Sequence, residues 1–544
     1  MKWFRKLTTG SRNASTWRTT VQQALADKKY LSARNTNSLG EALEATQPHD
    51  TSLRQEILCR RSQISLNIKQ YDSAYDDAVA ALDSAKETRS LDTVCALYPF
   101  RVNKIDVRQE HTIEPLVLAS NAAYGLRRYQ DAHNRLSELL QVSQDTHAFA
   151  NASLACIEKR LQEQNRGDYD FKAMAQSARS GQTLQDLASY TCNTKIEDSG
   201  SRGRGLFAAK DIQAGELVLC EKAFCTSHTE DRLTSFKSDS VSQAEQLPVP
   251  GTADHVLQLA RNVRDKLTCN PSLAPEVMDL HSEIESLPHH PHIFECLYIT
   301  TSYTNHSCVP NTHRIHIGDM MVIRATTHIP VGTEITTPYI RLEHPPGSRK
   351  RLLAQNWKFA CSCAICTAEN SFPVDIQRRR DDLFSVINDT WDKMAPMPDG
   401  TVPVDTVEEI ARLHEELRSL YQRHLPAGGT THSALVPNGI ALAKAHHMLG
   451  ELVRSCESCE AVLRDLGIRF DVEQGTNIVS CGTEGALVDW RVIDTLVVYS
   501  IVCSARGWPE AVAHQTRQVG ERLCVLCTGS GDEFWAKYWV YAEG

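Results

Sequence analysis

A chain of 544 residues, 41% hydrophobic and 23% charged, is long enough for several cores and has the composition of an ordinary folded protein. Its 58 basic and 67 acidic residues give a formal charge of -9, which disfavours direct nucleic-acid binding by the chain as a whole. No apolar run approaches a membrane span.

The first 26 residues carry Lys2, Arg5, Lys6, Arg12 and Arg18 with no acid before Asp27, a composition shared with mitochondrial presequences. The 18 cysteines are scattered, so reduced thiols or metal ligands are expected instead of disulfides. A reducing compartment follows, the cytoplasm or nucleus being expected and mitochondrial targeting, which rests on that single composition cue, the alternative.

From about Val21 to Gln164, apolar residues recur three and four apart, which predicts helices. The stretches Leu66–Ala74 and Ala123–Ala132 each place a tyrosine (Tyr71, Tyr129) three residues before a small alanine at a helix-pair turn. They resemble the tetratricopeptide pattern, but their interval departs from its period of about 34 residues. Residues 1–189 are therefore an N-terminal helical, tetratricopeptide-like region, with a nonrepetitive bundle as the alternative.

Near residue 190 the texture turns to short β-type runs at Gly205–Ala208 and Gly215–Leu219. Polar, helix-like sequence over about 226–296 reads as an insertion, and it includes His289, His290 and His292, which read as solvated. Strands resume at Arg314–Ile317 and Met320–Arg324, joined by the short turn Gly318-Asp319. After Cys366 the sequence is helical to the end. The basic runs Arg349-Lys350-Arg351 and Arg378-Arg379-Arg380 read as solvated helix faces.

Cys361, Cys363 and Cys366 are too tightly spaced to be core residues of one regular element. Structural zinc takes four ligands, commonly thiolates, and Cys308 in the run Asn305–Asn311 is the candidate fourth. Cys456 and Cys459 with Cys524 and Cys527 could form a second four-cysteine site; buried small residues are the alternative.

Four runs then resemble, in order, the motifs of the SET domain of protein-lysine methyltransferases. They are Ser201–Ala208 with Gly203, Arg204 and Gly205; Asn305-His306-Ser307-Cys308-Val309-Pro310-Asn311; Gly332–Tyr339; and Trp357–Cys366. The resemblance implies a multidomain α+β protein. Its β-rich split SET domain (190–348, insertion 226–296) and post-SET zinc lobe (349–369) lie between helical regions, the last at 370–544.

By resemblance, Gly203, Arg204, Gly205, Ser302, Asn305, His306 and Phe359 hold S-adenosyl-L-methionine, and Tyr339 is catalytic. Trp357 and Tyr339 line a lysine channel, and zinc is structural. The implied reaction is methyl transfer to a lysine of a histone or other protein substrate, with the helical regions available to protein partners. A tetratricopeptide adaptor with a silent SET core is the rival reading. The arrangement is most like the SET-and-MYND group, although the insertion, with Cys269 and Cys296 besides Cys225 at its edge, has too few cysteines for a MYND finger. Thr333 and Pro338 depart from the family pattern, and Pro338 removes an amide donor just before Tyr339.

Overall fold

The computed structural model describes residues 40, 43–44, 51–95, 107–142, 147–227, 253–278, 280, 285–286, 295–340, 344–393, 402–424, 432–473, 478–482, 488–528, 531 and 534–535. The basic first 26 residues and His289, His290 and His292 lie outside the described residues.

From residue 51 the described helices before the β-rich part are α1 (Thr51–Asn67), α2 (Tyr71–Cys95), α3 (Val107–Gly125), α4 (Tyr129–Val142), α5 (His147–Arg166) and α6 (Phe171–Arg179). The two look-alike stretches are the turns between α1 and α2 and between α3 and α4, and they close alike. Lys69 and Arg127 adopt φ of 58° and 61°. Gln70 N donates to Ser65 O as Arg128 N donates to Ala123 O. Ser62 and Ser120 hydroxyls donate to the carbonyls of Ala74 and Ala132. Both alanines are fully buried where paired helices approach. Between the hairpins, a Cβ on Gly125 would collide with the ring of Tyr71, so only glycine permits this approach of α2 to α3.

The β-rich part contains β1 (Thr194–Asp198), β2 (Arg204–Ala208), β3 (Leu217–Lys222), β4 (Cys225–Thr226), β5 (Glu285–Ser286), β6 (Glu295–Leu297), β7 (Asn305–His306), β8 (Thr312–Ile317), β9 (Met320–Ala325) and β10 (Thr336–Thr337), with α7 (Ala253–Cys269) and α8 (Ala274–Met278) between β4 and β5. The predicted hairpin forms: β8 pairs with β9, Ile317 opposite Met320. Gly318 turns it at φ 61°, where a Cβ would strike the Thr183 carbonyl. Asp319 accepts from Gln185 N at 2.8 Å and pairs with Lys222 Nζ at 2.7 Å. β9 is the middle strand of the sheet β3-β9-β8 and is buried except at Arg324. β1 pairs with β2, and residues 333–335 run along the other side of β2 through Ala208 N to Thr333 O and Ile335 N to Leu206 O.

β4 and β5 both pair with β6, so the chain leaves and re-enters the sheet region at adjacent strands. Leu259, Val263 and Leu267 of α7 enter the main hydrophobic core together with Leu206, Leu219 and Ile323. The end of α7 clasps the N-terminal helices. Asn270 Oδ1 accepts from Tyr71 N at 2.7 Å, Asn270 Nδ2 donates to Lys69 O at 3.0 Å, and Ser272 N donates to Asp72 Oδ2 at 2.7 Å.

Beyond residue 345 lie α9 (Pro346–Trp357), α10 (Ala364–Asn370), α11 (Val374–Lys393), α12 (Val404–His424), α13 (Val436–Met448), α14 (Leu452–Asp465), α15 (Trp490–Ala505) and α16 (Glu510–Thr528). The expectation of helix to the end is corrected by an antiparallel hairpin, β11 (Arg469–Glu473) and β12 (Ile478–Gly482). Val472, Ile478 and Val479 favour extended backbone there, and Phe470 packs edge-on against Tyr499 at 5.2 Å.

The basic runs are corrected at one position each, their other four residues being exposed as expected. Arg349 and Arg380 are 1% and 3% exposed and converge on one buried residue, Glu369. Arg349 pairs with Glu369, Arg380 donates to the Glu369 carbonyl, and Tyr421 Oη donates to Glu369 Oε1 at 3.0 Å. A buried carboxylate needs such partners, because an unpaired buried charge is strongly destabilising.

Substituting Gly125→Ala is expected to destabilise the N-terminal helices by about 1–3 kcal/mol through overpacking against Tyr71, read by denaturant unfolding. An unchanged midpoint would mean that α2 and α3 can separate freely.

Candidate functional site

The sulfurs of Cys308, Cys361, Cys363 and Cys366 lie within 4.8 Å of one another, and those of Cys308 and Cys366 are 3.6 Å apart. A tetrahedron with Zn–S of about 2.3 Å has edges of about 3.8 Å, so the donors fit zinc in number, type and spacing. Cys363 begins α10, and Cys366 lies one turn into it. Cys363 is pulled down to about 7, chiefly by a hydrogen bond from Cys308, and Cys361 is held well below the usual thiol range by donation from Cys308, Cys363 and Cys366. A bound cation would take all four as thiolates. Behind the cluster stand Val436 and Ile440 of α13, Val462 of α14 and Leu523 of α16, so the C-terminal helices wall the sulfur site.

This convergence brings the aromatic segment over the Asn305-His306 run. α9 ends at Trp357, and Lys358 takes φ 62°, turning the chain so that both flanking aromatics meet Tyr339. Ring centroids are 5.4 Å apart for Tyr339 and Trp357, 6.4 Å for Tyr339 and Phe359, and 6.0 Å for His306 and Phe359. All three aromatics are half-buried, as a pocket wall would be.

The His306 imidazole is held at both ring nitrogens. The Tyr339 backbone N–H can only donate, and it reaches His306 Nδ1 at 3.0 Å. In the neutral ring the proton is then on Nε2, which faces Cys308 Sγ at 3.2 Å. One imidazole therefore joins a sulfur of the four-cysteine cluster to the backbone of Tyr339. The Tyr339 hydroxyl donates to Thr304 O at 2.6 Å, so its lone pairs face away from that carbonyl.

Thr304 follows a short 3-10 turn, Thr301–Tyr303, fixed by a carboxylate that sequence reading missed. Glu221 of β3, fully buried, accepts from Thr300 N at 2.7 Å, Thr301 N at 2.8 Å and Thr301 Oγ1 at 2.7 Å. Its only signal is an acid directly after the apolar run Leu217–Cys220. Ser302 is in this turn, with its hydroxyl bonded to Tyr298 O. Pro338 leaves the strand intact: β10 pairs in parallel with β7, Thr336 opposite Asn305 and Thr337 opposite His306, and stops before the proline. Asn311 clamps β10, accepting from Thr336 N at 2.9 Å and donating to Glu334 O at 2.9 Å.

Gly203 and Gly205 bracket Arg204, whose guanidinium covers the ring of Tyr303 at 4.9 Å. Gly203 adopts φ 81°. A Cβ on Gly205 would collide with Glu334 Oε1, which explains that glycine. Glu334 accepts from Ser199 Oγ at 2.7 Å and Asn305 Nδ2 at 2.7 Å and pairs with Arg202, joining the glycine loop to Asn305.

The second four-cysteine site does not form. Among the described residues the one metal-suited group is the cluster at Cys308. Cys456 and Cys459 pack with Cys503, Cys524 packs with Phe534, and Cys527 sits among Val488 and Leu523. The helices α14 and α16 turn their cysteines into separate cores. Cys456 is lowered to about 7, first by Cys503 and further by Arg506, against burial.

The chain should bind one zinc per molecule and lose it as pH falls, because protons compete for the thiolates. His306→Ala leaves every thiol in place yet should weaken zinc retention against a chelator by about 10–100-fold. Retention equal to the parent chain would dismiss the imidazole as a support of the metal site.

The family description "SET domain" matches residues 203–340, which span the glycine loop to just past Tyr339. A Gibberella zeae protein named "Methyltransferase" is 25% identical over 433 residues, covering 69% of this chain and 55% of its own length. A histone-lysine N-methyltransferase SET5 of Meyerozyma guilliermondii is 39% identical over 79 residues, 14% of this chain and 16% of its own length. The chain thus spans about half the length of the first relative and far less of the second. A solved structure, the SET domain of LSMT bound to lysine and AdoHcy, shares 13% identity over 66% of this chain and 93% of that one, with a TM-score of 0.19. The match and the motifs gathered around Tyr339 make residues 203–340 a SET domain, with helical segments on both sides of this β-rich region.

Proposed function

We propose that the chain transfers a methyl group from S-adenosyl-L-methionine to a lysine side chain of a protein substrate. The observation that carries this reading is the half-buried enclosure of Tyr339, Trp357 and Phe359, fastened beside Asn305 and His306 by the four-sulfur cluster. The Gibberella and Meyerozyma relatives bear methyltransferase names, which supports the reaction class.

The cofactor would supply an electrophilic methyl on a sulfonium. Gly203, Arg204, Gly205, Ser302, Asn305, the His306 main chain and Phe359 border its place, and Tyr339 and Trp357 line the lysine approach. Displacement at a methyl carbon needs nucleophile and leaving group in line, so most of the acceleration comes from positioning. An aromatic channel also lowers the lysine pKa, because desolvation favours the neutral amine. With its proton donated to Thr304 O, the Tyr339 oxygen is a preorganised acceptor for amine N–H or methyl C–H groups. Zinc would hold the segment 361–366 to Cys308 and thereby keep the lid shut. The thiolate site needs reduced sulfur, which fits the cytoplasm or nucleus.

Tyr339→Phe should lower methyl incorporation from labelled cofactor into a protein pool by about 100-fold or more, with cofactor affinity within a few-fold of the parent. A parent chain that binds no cofactor and transfers nothing would instead leave the adaptor reading of the helical hairpins.

A further inference from the structure

Glu334 has no part in the roles above, yet it is the most connected side chain beside the glycine loop. Its side chain is 10% exposed. One oxygen, Oε1, accepts from Ser199 Oγ and Asn305 Nδ2, each at 2.7 Å, and the other is paired with Arg202. The loop is shaped around it, because a side chain at Gly205 would occupy the space of Oε1 and approach Asn305 Nδ2 to 3.1 Å.

The second neighbour of Asn305 Nδ2 is the carbonyl of Arg204 at 3.4 Å. A carboxylate and a carbonyl can only accept, so the amide nitrogen must face them and the amide oxygen must face away. Among the described residues Asn305 Oδ1 has no hydrogen-bond partner. Donation to an anion also polarises the amide and makes Oδ1 a better acceptor.

We propose that Glu334 is a positioning residue that locks the Asn305 amide with its oxygen toward the ligand, so that the site selects a cofactor carrying an ammonium group. The inference rests on the proposed cofactor reading and adds the origin of its selectivity for the amino-acid end. A reversed amide would present two donors to that ammonium and repel it. Arg202 matters because it holds one carboxylate oxygen and so dictates which atom faces Asn305.

The test is calorimetric binding of S-adenosylhomocysteine and of its desamino analogue, which keeps the nucleoside and carboxylate but lacks the ammonium. The parent chain should prefer S-adenosylhomocysteine by about tenfold or more. In Glu334→Gln, Arg202 retains the new carbonyl oxygen, the new NH₂ faces Asn305, and the amide turns over. Affinity for S-adenosylhomocysteine should then fall about tenfold while affinity for the analogue holds within about twofold. Adding Arg202→Ala frees the glutamine to present its oxygen to Asn305 and should restore most of the preference.

Equal loss of both ligands, no loss, or no recovery in the double variant would overturn the proposal in favour of a merely structural Glu334. If the glutamine variant does not fold, the parent chain still decides: equal affinity for the two ligands overturns the amide assignment. Absence of binding by both ligands to the parent chain overturns the cofactor reading itself, a separate outcome.

Discussion

The candidate site depends on bringing a sulfur from the loop after β7 together with three sulfurs from a segment that shares no β-ladder with it. Cys308 belongs to the run carrying Asn305 and His306, and Cys361, Cys363 and Cys366 follow the aromatics Trp357 and Phe359. Where sulfurs meet at 3.6 Å, the rings that precede them must lie over Tyr339. His306 adds a second tie, touching both the sulfur of Cys308 and the amide of Tyr339. Metal chemistry and pocket geometry are thereby one constraint.

Three buried carboxylates fix the junctions around that centre. Glu221 ties β3 to the turn before Asn305, Glu334 ties the glycine loop to Asn305, and Glu369 ties α10 to α9 and α12. Each holds two or more donors. Burying a carboxylate without them would cost several kcal/mol, so each junction has one well-satisfied arrangement and few near competitors. The apolar core fills the spaces, and these polar clasps set the register.

The flanking helices take part in the same construction. α13, α14 and α16 wall the sulfur cluster, and the insertion's Asn270 and Ser272 reach across to the turn that starts α2. The two N-terminal hairpins share one turn geometry in which a serine hydroxyl caps the carbonyl of a buried alanine, Ser62 on Ala74 and Ser120 on Ala132. That likeness was visible as a tyrosine and an alanine at fixed spacing, because a close helix crossing permits only a small side chain.

The amino-acid sequence by itself determined the parts whose chemistry is local: glycines where backbone passes close, cysteines at metal spacing, the hairpin turn at Gly318 and the order of motifs ending at Tyr339. Tertiary structure decided which groups meet. Nothing in a run of arginines distinguishes the buried Arg349 from its exposed neighbours Lys350 and Arg351. The paired cysteines of α14 and α16 had metal-like spacing, yet helix rotation sent them into separate cores. Glu334 and the imidazole of His306 gained their tasks from partners 135 and 33 positions away. Spacing along a chain restricts near neighbours, whereas hydrogen-bond and charge partners across a fold are chosen by how whole elements pack.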